Sequence, residues 1–253
     1  MPQSNKAYAF DFDSNLVFTQ DTIFLSKWDG ISWQEVQVSQ KEFDQLTVDG
    51  IQWKRLNDDY EDSLKNFLSP GNYKKALLDA IEHDMTWPSR LSFLEANESA
   101  SPLAIITARG QSPQELKESH KDIIYTALTP IQRNNLVQNM QKRSGTTISP
   151  DQAIQLYLDN NLYIPVQSKE FFQESGTTID TPTSVRKHIG LEMFVVHVAS
   201  VFQTFSVWFS DDNIENVESM ISFIKSDLLP KYPQVKFMVY NTNDAEHVKK
   251  IVM

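Results

Sequence analysis

A chain of 253 residues with 40% hydrophobic and 22% charged residues has the balance of a globular protein and is long enough for one core domain carrying an insertion. Its net charge is −10 and its lysines and arginines are scattered, so the basic footprint of a duplex nucleic-acid binder is missing. Cysteine is absent, which excludes disulfides, thiolate zinc sites and cysteine nucleophiles.

The first six residues are polar, and the apolar run that follows meets Asp11 and Asp13 too early to be a signal-peptide core. With no stretch near the ~20 apolar residues of a membrane span, a cytoplasmic protein without membrane contact is expected. Ala7-Tyr8-Ala9-Phe10 reads as a buried parallel strand that stops at carboxylates. Two β-prone runs, 22–28 and 31–39, flank Asp29-Gly30, a two-residue hairpin signal. Residues 43–100 turn polar with helical spacing, broken at Ser69-Pro70-Gly71 and Trp87-Pro88. They read as a mainly helical insertion, and the acidic run 57–62 as a solvated helix start rather than a second metal site.

A second buried strand, 103–106, ends at Thr107-Ala108-Arg109-Gly110. Ser112-Pro113 with Glu115 three residues after the serine is a capping box, so strand, polar loop and helix start follow in an order suited to holding a phosphate. Helices over 129–142 and 150–160 lead to a third strand at 162–166. A helix over about 183–201 precedes a fourth strand, 205–209, which ends at Ser210-Asp211-Asp212-Asn213. Ile214, Val217, Ile221, Ile224 and Leu228 keep helical spacing, and 235–240 is a fifth strand. This alternation predicts an α/β fold, a doubly wound, Rossmann-like parallel sheet with right-handed crossovers. The core is expected over 1–42 and 101–253, with a hairpin flap at about 22–39 and a cap at 43–100.

In such a sheet ligands lie beyond the carboxyl ends of the strands. Asp11, Asp13, Thr107, Asp211 and Asp212 all stand there. The run Phe10-Asp11-Phe12-Asp13-Ser14-Asn15-Leu16 resembles the first motif of the haloacid dehalogenase-like (HAD-like) superfamily. Ile105-Ile106-Thr107 resembles its second, and Phe209-Ser210-Asp211-Asp212-Asn213 its paired-acid fourth. The family's lone lysine corresponds to Lys187 or, as a rival, Lys169. Ser14, Asn15 and Ser210 depart from the usual residues, at positions whose side chains carry no chemistry in the family.

The resemblance implies a Mg2+-dependent phosphomonoesterase acting on a small phosphorylated substrate. A carboxylate can attack phosphorus to form an aspartyl-phosphate, and a second acid two residues on can protonate the leaving oxygen and then activate water, which assigns Asp11 and Asp13. Magnesium takes hard oxygen ligands, here Asp11, the Asp13 carbonyl, and Asp211 or Asp212. Thr107 and Lys187 would contact phosphate oxygens, and Thr107, Ala108 and Arg109 the substrate. Trp28, Trp33 and Trp53 are candidate walls for the leaving group.

Other classes fit less well. Asp11-x-Asp13-x-Asn15 opens like an EF-hand loop, but Leu16 and Thr22 stand where Gly and Glu are needed. A phosphoacceptor receiver needs an acid after the third strand, where Gln167-Ser168 stand. A non-catalytic metal- or phosphate-binding module on the same fold is the alternative. The histidines His83, His120, His188, His197 and His247 have no metal-ligand spacing, and with seven glycines a Gly-rich nucleotide loop is not expected.

Overall fold

The computed structural model describes residues 5–16, 21–43, 46–68, 74, 89–242 and 248–252. Its larger sheet has six strands: β1 Asn5–Phe10, β5 Leu103–Thr107, β6 Leu162–Pro165, β7 Phe205–Asp211, β8 Val235–Asn241 and β9 Val248–Val252. They lie in the order β6-β5-β1-β7-β8-β9. The first five are parallel and β9 is antiparallel to β8. The chain winds outward from β1 to β5 and β6, then returns to β7 on the other side. This reversal opens a crevice at the carboxyl end of β1, where α/β folds bind ligands.

Helices cover both faces, giving a Rossmann-like α/β architecture. Alternate residues of each strand feed different cores. Ala7, Ala9, Ala104 and Ile106 pack with helix Thr183–Ala199 and the helix Ile214–Phe223. Tyr8, Phe10, Leu103 and Ile105 pack with helices Arg90–Glu98 and Pro113–Thr126. Helices Pro130–Ser144 and Pro150–Asp159 close a further cluster on that side. The expected capping box at Ser112 is present, and Thr129 with Gln132 and Ser149 with Gln152 form two more, each followed by proline at the start of its helix.

The hairpin strands β2 Thr22–Trp28 and β3 Trp33–Ser39 join β4 Trp53–Arg55 in a separate antiparallel sheet of order β3-β2-β4. The turn differs from the two-residue expectation. Trp28 pairs with Trp33, leaving a four-residue loop in which Asp29 Oδ1 accepts from the N–H groups of Ile31 and Ser32 at 2.8 Å each. A side chain that captures the backbone two and three residues on favours this wider turn.

Within 43–100 the described residues include a strand as well as helical pieces. Residues 53–55 are a strand because β2 offers them an open edge. The described helical pieces nearby, Tyr60–Ser63 and Lys65–Leu68, are single turns. The acidic run does start a helix, with Asp59 Oδ1 accepting from Asp62 N at 2.9 Å. Helix Arg90–Glu98 packs Phe93 and Ala96 into the core with β1, so it belongs to the layer on the parallel sheet. Ser69-Pro70-Gly71, His83, Trp87-Pro88 and His247 lie outside the described residues. Among the described residues no helix is long and apolar enough to cross a membrane.

Candidate active site

Asp11 follows the last residue of β1, and its N–H donates to the Ser210 carbonyl of β7 at 2.9 Å. The turn beyond it puts Ser14 at φ 57°, the left-handed region that glycine enters without the ~1–2 kcal/mol penalty of a Cβ. Asn15 holds this turn. Fully buried, it donates through Nδ2 to the Asp11 carbonyl and to Ser210 Oγ, both at 2.9 Å. Its Oδ1 accepts from Ser89 Oγ and Thr242 Oγ1, both at 2.8 Å. One amide therefore ties together the carboxyl ends of β1, β7 and β8 and the start of helix Arg90–Glu98. The sequence marks Asn15 only as a departure from a motif; a polar residue four positions after Asp11, in a segment too apolar to be a surface loop, is the signal that was there.

Asp211 is the last residue of β7, two positions beyond the predicted end of that strand, and it is fully buried. The Lys187 ammonium lies 2.6 Å from Asp211 Oδ2 and 3.0 Å from Asp11 Oδ1. Asp211 Oδ1 also accepts from the N–H of Asn213 at 3.0 Å and from Asn216 Nδ2 at 3.3 Å. Lys187 reaches this point because its helix sits close on the sheet. A Cβ on Gly190, one turn further along, would meet methyl carbons of Ile106 and Ile164 at 3.1 Å. Lys169, by contrast, is exposed at the start of helix Lys169–Ser175.

Carboxylate oxygens of Asp11, Asp211 and Asp212 all lie within 4.8 Å of one another. Burial drives the Asp11 carboxyl well above the usual range and Asp212 up to about 7; neighbouring carboxylates add to both shifts and Lys187 opposes them. Burial also works against the Lys187 charge, but Asp11 and Asp211 outweigh it and hold the ammonium protonated. Three carboxylates against one ammonium leave a negative pocket that a divalent cation would offset. An all-oxygen donor set suits a hard ion of the Mg2+ or Ca2+ type.

Asp13 stands apart from this cluster. Arg109 grips it bidentately, Nε to Oδ2 at 2.9 Å and an NH2 nitrogen to Oδ1 at 2.6 Å, and the same nitrogen reaches Asp21 Oδ2 at 2.7 Å. Buried and stacked between the rings of Phe12 and Phe67 at 5.6 and 5.0 Å, Arg109 lies behind the crevice. Its ion pairs with Asp13 and Asp21 are internal to the protein. Thr107 ends β5 with its hydroxyl buried and without a hydrogen-bond partner among the described residues.

Asp11, Asp13, Ala108, Lys187 and Asp212 line a cavity of about 430 Å³, whereas Thr107, Arg109 and Asp211 are fully buried and are not in its lining. Thr183 and Ser184 also line it, at the start of a 17-residue helix with no side-chain cap hydrogen bond at Pro182, so backbone N–H groups there are available to an anion. The flap side is closed by Ile23, Phe43, Leu64 and Phe67. The three tryptophans are not in this lining. Trp28 and Trp33 pack on each other at 5.5 Å, and Lys54 and Lys27 lie over Trp33 and Trp53; the aromatic pair serves the hairpin tip instead. Of the histidines, His120, His188 and His197 are hydrogen-bonded at 2.9, 3.0 and 2.8 Å to Tyr163, Ser219 and the Asn160 carbonyl, and among the described residues none joins the acidic cluster. No protein-family model, curated protein or solved structure matches the chain.

Proposed function

We propose that the protein is a HAD-like, Mg2+-dependent phosphohydrolase acting on a small phosphomonoester. The observation that carries this reading is the convergence of Asp11, Asp211 and Asp212, from two adjacent strand ends, around the buried Lys187 ammonium. Asp11 attacks phosphorus, the ester P–O bond breaks, and the departing oxygen takes a proton from Asp13. Water then attacks the aspartyl-phosphate, gives a proton to Asp13, and the bond between phosphorus and the Asp11 oxygen breaks. Lys187, the Thr107 hydroxyl and the uncapped helix start at Thr183 hold the equatorial oxygens during both transfers. Asp11, Asp211 and Asp212 would hold the cation, which when bound offsets repulsion between Asp11 and the incoming anion.

One observation favours a second reading, a metal- or phosphate-binding module without turnover. Both carboxylate oxygens of Asp13 are engaged by Arg109, and a proton donor needs one of them released. Phosphate release from an aryl phosphate, with Mg2+ and with excess EDTA, decides between the two. The phosphohydrolase predicts turnover that EDTA abolishes, and a loss of roughly a thousandfold or more for Asp11→Asn, since the nucleophile itself is removed. Binding of phosphate without turnover would select the module, and activity surviving in EDTA would reject the metal role.

A further inference from the structure

The walls of the cavity restrict the organic part of the substrate. Among the described residues lining it, Lys187 is the one cation, set against the carboxylates of Asp11, Asp13, Asp212 and Glu215. Lys187 is held within 3.0 Å of Asp11 and Asp211, at the end where the phosphate would sit, so its charge is committed there. The leaving group departs opposite to the attacking oxygen and meets what remains. Part of that surface is apolar, Ile23, Phe43, Leu64 and Phe67; the rest is uncharged polar or acidic, with Glu215 exposed at the start of helix Ile214–Phe223. A second phosphate or a carboxylate on the substrate would find no further cation among the described residues there and would lie near carboxylates in a confined space of about 430 Å³.

We infer that the substrate is a small phosphomonoester whose leaving group is uncharged or cationic, with an apolar face and no second anionic group. This rests on the phosphohydrolase reading. It excludes sugar bisphosphates, phosphorylated carboxylic acids and nucleoside polyphosphates as preferred substrates.

The test compares kcat/KM in Mg2+ for three phenyl phosphates whose para groups are methyl, aminomethyl and carboxylate, matched in size and with little effect on the basicity of the departing phenol. The methyl and aminomethyl esters should be hydrolysed at similar efficiency and the carboxylate ester about tenfold less well. Glu215→Gln, which leaves the Asn213 cap of its helix in place, should narrow that gap by about threefold by removing one facing charge. Equal or better hydrolysis of the carboxylate ester, or a gap unmoved by Glu215→Gln, overturns the inference while leaving the phosphohydrolase standing. If none of the three releases phosphate, the phosphohydrolase reading falls. The charge preference is then read by calorimetry from the three corresponding benzylphosphonates in Mg2+: weaker binding of the carboxylate compound supports it and any other order overturns it.

Discussion

The two sheets of this molecule are built by the same alternation of side chains but are held very differently. The central strands β1 and β5 of the parallel sheet are buried on both faces, with Ala7, Tyr8, Ala9 and Phe10 all at 2% exposure or less. The flap sheet has one thin core, Ile23, Leu25, Val38 and Phe67, with partly buried neighbours, and leaves Ile31 and Ile51 at the surface. The acids stand at the carboxyl edge of the first sheet, where packing from two sides fixes them. The apolar wall of the cavity comes from Ile23 of the second sheet and from Phe43, Leu64 and Phe67 in and between the short helical segments packed near it. For the proposed phosphohydrolase, chemistry that depends on placement to a fraction of an ångström would sit on the rigid element, and the cover over the leaving group on the thinner one.

That contrast can be broken most forcefully with phenylalanines. Phe93→Ala, in the core under β1, should lower global stability by about 3–5 kcal/mol. Phe67→Ala, in the flap core, should lower it by less, because the flap can open without unfolding the parallel sheet, and should raise KM. Chemical denaturation with hydrogen exchange on both sheets separates them; equal global losses and equal protection would show one cooperative unit.

A second test stays within the rigid part. Lys187→Met leaves two buried carboxylates without their cation and should destabilise by about 3 kcal/mol, recovered in part by millimolar Mg2+, whereas Lys169→Met on an exposed helix start should change stability by under about 0.5 kcal/mol. Similar thermal denaturation curves for the two variants would mean that Lys187 does not bear on the acid cluster.

The smallest effect is in pH. His120 is buried in the core, and burial lowers its pKa to about 3. Asn97 donates through Nδ2 to the Phe93 carbonyl at 2.8 Å, so its Oδ1, 2.8 Å from His120 Nε2, accepts that nitrogen's proton. The neutral ring is thus the one the fold holds. Between its ordinary value of 6.5 and about 3 the unfolded chain binds a proton that the folded chain does not. The stability contributed by His120 is therefore fully present above pH 6.5 and falls as pH drops, by up to about 1.4 kcal/mol per pH unit. The flap turns rest on Asp29 and Asp49, whose carboxyls are held below the usual range by backbone N–H groups, so they weaken only in stronger acid. Asp11 and Asp212, whose carboxyls are raised in the folded chain, act in the opposite direction over part of this range, so the His120 contribution is read as the difference in pH slope between the parent and His120→Gln in urea titrations from pH 7.5 to 4.5.

Local physics made much of this protein legible from its sequence alone. Apolar runs that stop at Asp11, Thr107 and Asp211 declare strands and their functional ends, because a buried strand cannot carry a carboxylate until it reaches the edge of the sheet. Serine or threonine followed by proline announces helix starts through the cap itself. What the sequence could not determine depends on residues that meet only in the folded chain. Strand β4 exists because β2 has an open edge, and β9 because β8 does; neither edge is visible in a local window. Lys187 rather than Lys169 meets the acids because Gly190 lets one helix approach Ile106 and Ile164. Arg109 reads as a loop cation, yet carboxylates 96 and 88 positions away in the chain turn it inward, and Asn15 becomes a hub only when Ser89, Ser210 and Thr242 arrive beside it. Periodicity and capping act over a few residues and are written in order along the chain, whereas edge pairing, close approach and the partners of buried polar groups are decided by which distant segments the tertiary structure brings together.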